Sequence, residues 1–87
     1  MARELPIEIS PHALEQMVER GVSEDEVRIA IRHGEEEPAL KGRYMYRKNF
    51  PFGRVWRGKK YAIMQVAPVI AKESEKLTVV TVYTFYF

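Results

Sequence analysis

Ser10-Pro11-His12-Ala13-Leu14-Glu15-Gln16-Met17-Val18-Glu19-Arg20-Gly21 holds a helix start, an amphipathic run and a helix stop, and the rest of the chain is placed around it. Ser10 is a good N-cap, Pro11 suits the first helical position where no donor is needed, and Gly21 can take the left-handed conformation that ends a helix. Leu14, Met17 and Val18 stand at i, i+3 and i+4 and predict the apolar stripe, with Ala13 on its flank. At the helical period His12 falls on the opposite side with Gln16 and Glu19, and Arg20 comes beside Ala13. Packing within the helix accounts for neither His12 nor Arg20, so both are candidate site residues.

Just downstream, Ser23-Glu24-Asp25-Glu26 reads as a capping box whose acidic first turn complements the helix dipole. Val27, Ala30 and Ile31 supply that helix's apolar stripe, Gly34 is its expected stop, and His33 is an ordinary cation for a helix C-terminus. With only Gly21 and Val22 between them, the two helices are expected to form a tight hairpin. Upstream, Leu5, Ile7 and Ile9 alternate over residues 3–9 as in a half-buried strand, which Pro6 confines to an edge or a strand start. Glu35-Glu36-Glu37-Pro38 reads as a solvated connector.

Beyond Gly42 the composition turns aromatic and β-branched. Residues 43–50 alternate as a strand, Pro51-Phe52-Gly53 is a turn, and a further strand runs from Arg54 through residues 61–67. Gly58 fits a bulge or a turn equally, and Pro68 is expected to end or distort the pairing. Residues 72–76 form a polar hairpin loop before a closing run, 77–87, apolar on both faces and suited to a central place in the sheet. The fold class is α+β: two N-terminal helices as a helical hairpin packed on an antiparallel sheet of three to five strands, in one domain spanning 1–87.

At 87 residues the core is modest, and there is room for one site. The absence of cysteine excludes a disulfide framework and a thiolate metal site, and no metal or cofactor is expected. No stretch resembles a signal peptide or an apolar membrane span, so no membrane association and a cytoplasmic location are the expectation. The net charge of +2 hides an asymmetry: residues 1–42 carry five Lys/Arg against ten Asp/Glu, whereas residues 43–87 carry nine against two. Either the C-terminal part faces an anionic partner or the two halves attract each other within the fold.

The asymmetry is sharpest from Arg43 to Lys60. Seven basic residues (Arg43, Arg47, Lys48, Arg54, Arg57, Lys59, Lys60) and five aromatics including Trp56 stand there with no acidic one. Cations track phosphates while aromatic faces stack on bases, the composition of a surface for single-stranded RNA. Alternatively the aromatics belong to the core and the charges to a solvated strand face. An acidic partner protein would use the same surface.

Ile9-Ser10-Pro11-His12-Ala13, then Met17-Val18-Glu19-Arg20-Gly21-Val22-Ser23, then a basic strand region and the closing Val80-Thr81-Val82-Tyr83, resemble the small prokaryotic domain-of-unknown-function family 4258 over most of the chain. That family is similar in layout to the RelE and BrnT toxins of toxin–antitoxin pairs and to small ribonucleases with a helix pair on an antiparallel sheet. The resemblance implies a RelE-like fold and a metal-independent RNA cleavage site; an acidic antitoxin-like protein is the partner that would use the basic surface of residues 43–60. Carried over by position, it implies His12, Arg20, Thr81 and Tyr83 as site residues, completed by a strand arginine such as Arg47. Metal-independent cleavage needs a base for the 2′-hydroxyl, an acid for the departing 5′-oxygen and a cation for the phosphorane oxygens. His12 titrates near neutrality, Arg20 and Arg47 can hold phosphate bidentately, and Thr81 and Tyr83 alternate on one strand face. Against this stands a non-catalytic module, either binding RNA without cutting it or forming a homodimer by edge-to-edge pairing of the closing strand.

Overall fold

Capping chemistry sets both helices where the sequence places them. The computed structural model describes residues 4–87, beginning with strand β1 (Ile7–Ile9) and helices α1 (Pro11–Arg20) and α2 (Glu24–His33). Ser10 Oγ accepts from Ala13 N at 3.1 Å, and Gly21 ends α1 at φ 69°. There Val22 N–H bonds Met17 O at 2.9 Å and Gly21 N–H bonds Val18 O at 3.4 Å, the paired bonds of a Schellman motif. Ser23 and Glu26 cap α2 reciprocally. Gly34 stops it for a steric reason rather than a conformational one: at φ −78° any residue fits the backbone, but a Cβ would stand 2.4 Å from Ala30 O and 2.7 Å from Arg47 O.

The chain continues as β2 (Glu35–Pro38), a 3-10 turn (Leu40–Gly42), β3 (Tyr44–Trp56), β4 (Lys59–Lys72) and β5 (Leu77–Tyr86). The sheet runs in the order β1-β5-β4-β3-β2. It is mixed rather than purely antiparallel, because β1 pairs parallel with β5, Ile7 opposite Leu77 and Ile9 opposite Val79. No hairpin joins those two strands, so nothing local fixes their relative direction. Pro6 stands just before β1 and contributes only its carbonyl, to Leu77 N at 2.8 Å. Of the strand expected over 3–9, Arg3 lies outside the described residues.

Each helix packs on the same face of the sheet, α1 on β5 and α2 on β3 and β4. Between these layers Ala13, Met17, Val27, Ala30 and Ile31 meet Tyr46, Met64, Val66, Ile70, Leu77, Val79 and Val82, all buried. The stripe of α1 is therefore rotated from the expected one: Leu14 is 41 % exposed and Val18 83 %, while Ala13 and Met17 face the core.

Four further expectations change. Glu35–Pro38 is an edge strand, because its carboxylates have partners across the pairing: Tyr46 Oη and Lys72 Nζ donate to Glu36, and Arg47 Nε donates to Glu37 at 2.6 Å. Pro51-Phe52-Gly53 is a bulge inside β3, where the register slips between Pro51 and Arg54 and Gly53 takes φ 58°. Gly58 belongs to a turn, since Arg57 (φ 50°) and Gly58 (φ 86°) form a two-residue loop with both φ positive, as the twist of a hairpin favours. Pro68 distorts β4 without ending it. Its pairing with Val82 is followed by a register slip that leaves Val80 as the extra residue, and the β3 ladder skips from Met45–Val69 to Lys48–Val66. Beyond Val80 the alternation of β5 is reset, putting Val82 with Val79 on the core face.

Candidate functional site

Past Val79 no strand among the described residues pairs with the outer edge of β5, and α1 lies along it. Unpaired strand groups need partners, and polar residues of the helix supply them. Gln16 Oε1 accepts from Val82 N at 2.9 Å and from the Thr81 hydroxyl, and Arg20 Nη1 donates to Val82 O. That is why Gln16 and Arg20, rather than Leu14 and Val18, face the sheet. Arg20 Cζ also stands 5.5 Å from the centre of the Tyr83 ring.

The end of α1 is a docking point for the β3–β4 hairpin arm. Glu19 O accepts from Arg57 Nη2 at 2.9 Å and Arg20 O from Tyr86 Oη at 2.6 Å, so two otherwise orphaned helix carbonyls are satisfied from the sheet. Gly21 makes room for the arm: a Cβ there would lie 2.7 Å from the Trp56 ring. Phe52, Trp56 and Tyr61 surround Tyr86 with ring centres at 5.2, 5.3 and 5.5 Å, and burial in this cluster pushes the Tyr86 hydroxyl above the ordinary tyrosine range.

Over these rings lie cations. Arg54 is 4.4 Å from Phe52, Arg57 5.2 Å from Trp56 and Lys59 5.5 Å from Tyr61. Elsewhere in the sheet Arg47–Glu37 (2.6 Å), Lys72–Glu36 (3.1 Å) and Lys76–Glu8 (2.9 Å) are ion pairs, yet Arg54, Arg57, Lys59 and Lys60 make none among the described residues. Attraction between the acidic and basic halves thus operates at the base of the arm and stops short of its tip.

The residues expected from sequence distribute over separate places. Arg20, Trp56 and Arg57 meet in a cleft with Glu19, Thr84 and Tyr86. Thr81 and Tyr83 share a second, on the helix-free face, with Arg43 and Lys41 over a floor of Met45 and Val69. Arg47 lines a third with His33, Lys48, Asn49 and Gln65; its Nη1 donates to Gln65 Oε1 at 2.9 Å, and Gln65 Nε2 donates to Asn49 Oδ1 at 2.9 Å. His12 is exposed on the first turn of α1, lines none of the three, and has no hydrogen bond or ion pair among the described residues. It stands roughly 12 Å along the helix axis from Arg20.

Two residues of this surface escaped the reading of the sequence. Gln16 is one helical turn before Arg20 and flanks Met17, a polar pair bordering the buried arc that marks a helix laid on a strand edge. Phe85 continues the alternation of Thr81 and Tyr83 and is 41 % exposed on the helix-free face. The clefts measure about 340, 380 and 360 Å³, at the lower end of the range of ligand pockets. Among the described residues no cluster of three His, Cys, Asp or Glu is placed to hold a metal, and no helix is long and apolar enough to cross a membrane.

A family model described as a domain of unknown function (DUF4258) matches residues 9–84, from the end of β1 almost to the end of β5. No curated protein and no solved structure matches the chain.

Proposed function

The chain belongs to the DUF4258 family, a domain of unknown function, and from its own geometry we propose that it binds single-stranded RNA along the β3–β4 arm. The observation that supports this is that Arg54, Arg57, Lys59 and Lys60 make no ion pair among the described residues, while Arg54, Arg57 and Lys59 are held over aromatic rings. Polyanion binding releases condensed counterions, about 0.7 for each phosphate neutralised on a single strand. Four cations therefore give a slope of log K against log salt near −3, by about 0.7 for each.

The test is a salt titration of affinity for a labelled single-stranded RNA. Replacing the exposed pair Lys59→Gln and Lys60→Gln reduces the slope by about 1.4. No binding at low salt, or a slope that the double variant leaves unchanged, refutes the reading. Selective binding of an acidic protein in place of RNA assigns the arm to a protein partner instead.

A second reading, metal-independent RNA cleavage, is favoured by the meeting of Arg20 with Tyr83 at 5.5 Å beside the Thr81–Arg43 cleft. It calls for His12 and Arg47 to join them on a bound strand. Cleavage in the presence of a chelator, lost in His12→Ala, supports it; cutting unchanged by that substitution removes His12 from any catalytic role.

A further inference from the structure

We infer that the helix-free face of the sheet is a base-stacking platform, on which Tyr83 and Phe85 each take one nucleobase of a single-stranded RNA; this rests on the RNA-binding reading above and adds where the bases go. Both helices cover the opposite face, so this one is left open. Tyr83 is 42 % exposed and Phe85 41 %, and Phe87, 59 % exposed, continues their alternation through its two backbone bonds with Ile63. Large aromatic rings repeating along a strand that no helix covers keep part of their surface against water, and stacking on bases removes it without requiring any particular sequence.

The rows across the sheet show how these rings are set. Val69, opposite Thr81, and Ala67, opposite Tyr83, are small or nearly inaccessible residues that form a floor beside the aromatic column. Gln65 is opposite Phe85 and is joined to Arg47 and Asn49 in a hydrogen-bonded string. Amide groups beside a stacked ring are suited to the edges of unpaired bases.

Charge argues for a nucleic acid rather than another apolar surface. Arg20, 5.5 Å from the Tyr83 ring, and Arg43, beside the Thr81–Tyr83 cleft, make no ion pair among the described residues, whereas Arg47, 5.6 Å from the Phe85 ring, is paired with Glu37. The column also runs into the arm, because Ile63, paired with Phe87, is the residue opposite Pro51 where the arm begins. One strand of RNA can then lie with its bases on β5 and its backbone continuing toward the arm. A duplex cannot use the platform, since its bases are already stacked.

The test compares fluorescence anisotropy of labelled decauridylate with that of an abasic ribose-phosphate strand of equal length. Phe85→Ala weakens decauridylate about tenfold or more, leaves the salt slope unchanged and leaves abasic-strand affinity unchanged, whereas Phe85→Trp retains wild-type affinity. Tyr83→Ala gives the same pattern independently, with far-UV circular dichroism showing each variant folded. Undiminished decauridylate binding by both alanine variants, while Lys59→Gln with Lys60→Gln still lowers the slope, overturns the platform and leaves RNA binding by the arm intact. Absence of RNA binding by the wild type removes both. A wild-type dimer in sedimentation that Phe85→Ala dissolves assigns the face to a second copy of the chain and likewise overturns it.

Discussion

Replacing Gly21 by alanine tests how the arm is held to the helix. The left-handed conformation at φ 69° disfavours any residue with a Cβ by about 1–2 kcal/mol. The added carbon would also stand 2.7 Å from Cζ3 and 2.9 Å from Cη2 of Trp56, so the indole must move. Overpacking of this kind destabilises by about 1–3 kcal/mol, part of it the loss of the Trp56–Tyr86 stack, now at 5.3 Å. The sum is roughly 2–5 kcal/mol. Gly58→Ala supplies the control: φ is 86° there, but nothing lies within 4 Å of the new Cβ, so only the conformational part applies. Urea unfolding followed by the fluorescence of Trp56, the only tryptophan in the chain, and by far-UV circular dichroism gives both losses. Gly21→Ala should exceed Gly58→Ala by about 1–3 kcal/mol, and the excess should vanish in a Trp56→Leu background. Equal losses in the two glycine variants, or an excess that survives removal of the indole, would refute the argument that the arm closes on α1 through Trp56.

Two other outcomes follow from the contacts of α1 and β5. Gln16→Leu strips the Val82 amide of its acceptor and should destabilise by about 1–3 kcal/mol, with faster hydrogen exchange at Val82; unchanged exchange there would show that the edge finds another partner. Burial raises the Tyr86 hydroxyl pKa, so the folded state holds that proton to higher pH than the unfolded chain does. This contribution is complete below about pH 10 and is lost as pH rises through the raised folded value. Urea midpoints measured from pH 8 to 11 should fall less steeply at the alkaline end in Tyr86→Phe, and parallel curves would rule out a buried Tyr86 proton.

Much of the fold was legible because its signals act over a few residues. Ser10, Ser23, Glu26 and Gly21 each bond or bend within one helical turn, so the ends of both helices follow from the sequence wherever they dock. The closing strand and its polar hairpin loop follow from β-branched composition and turn chemistry, although the extra residue at Val80 resets which of its residues share a face. Glu35–Pro38, Pro51–Gly53 and Pro68 were harder, because the groups that keep them in the sheet are cross-strand partners: Tyr46 and Lys72 for Glu36, a register slip for Pro51, and the neighbouring bulge for Pro68.

For the candidate site, composition alone placed the cations and aromatics of residues 43–60 in one run. Which cations remain unpaired depended on how far the acidic first half extends along the sheet, and it reaches Arg47 and Lys72 but not the arm tip. Helix α1 shows the division most clearly. Its start, its stop and its amphipathic character are set by residues 10–21 themselves. Its rotation is not: the open edge of β5 places Val82, 66 residues away, against Gln16, and the need of that strand's backbone for partners turns Gln16 and Arg20 inward and leaves Leu14 and Val18 outside.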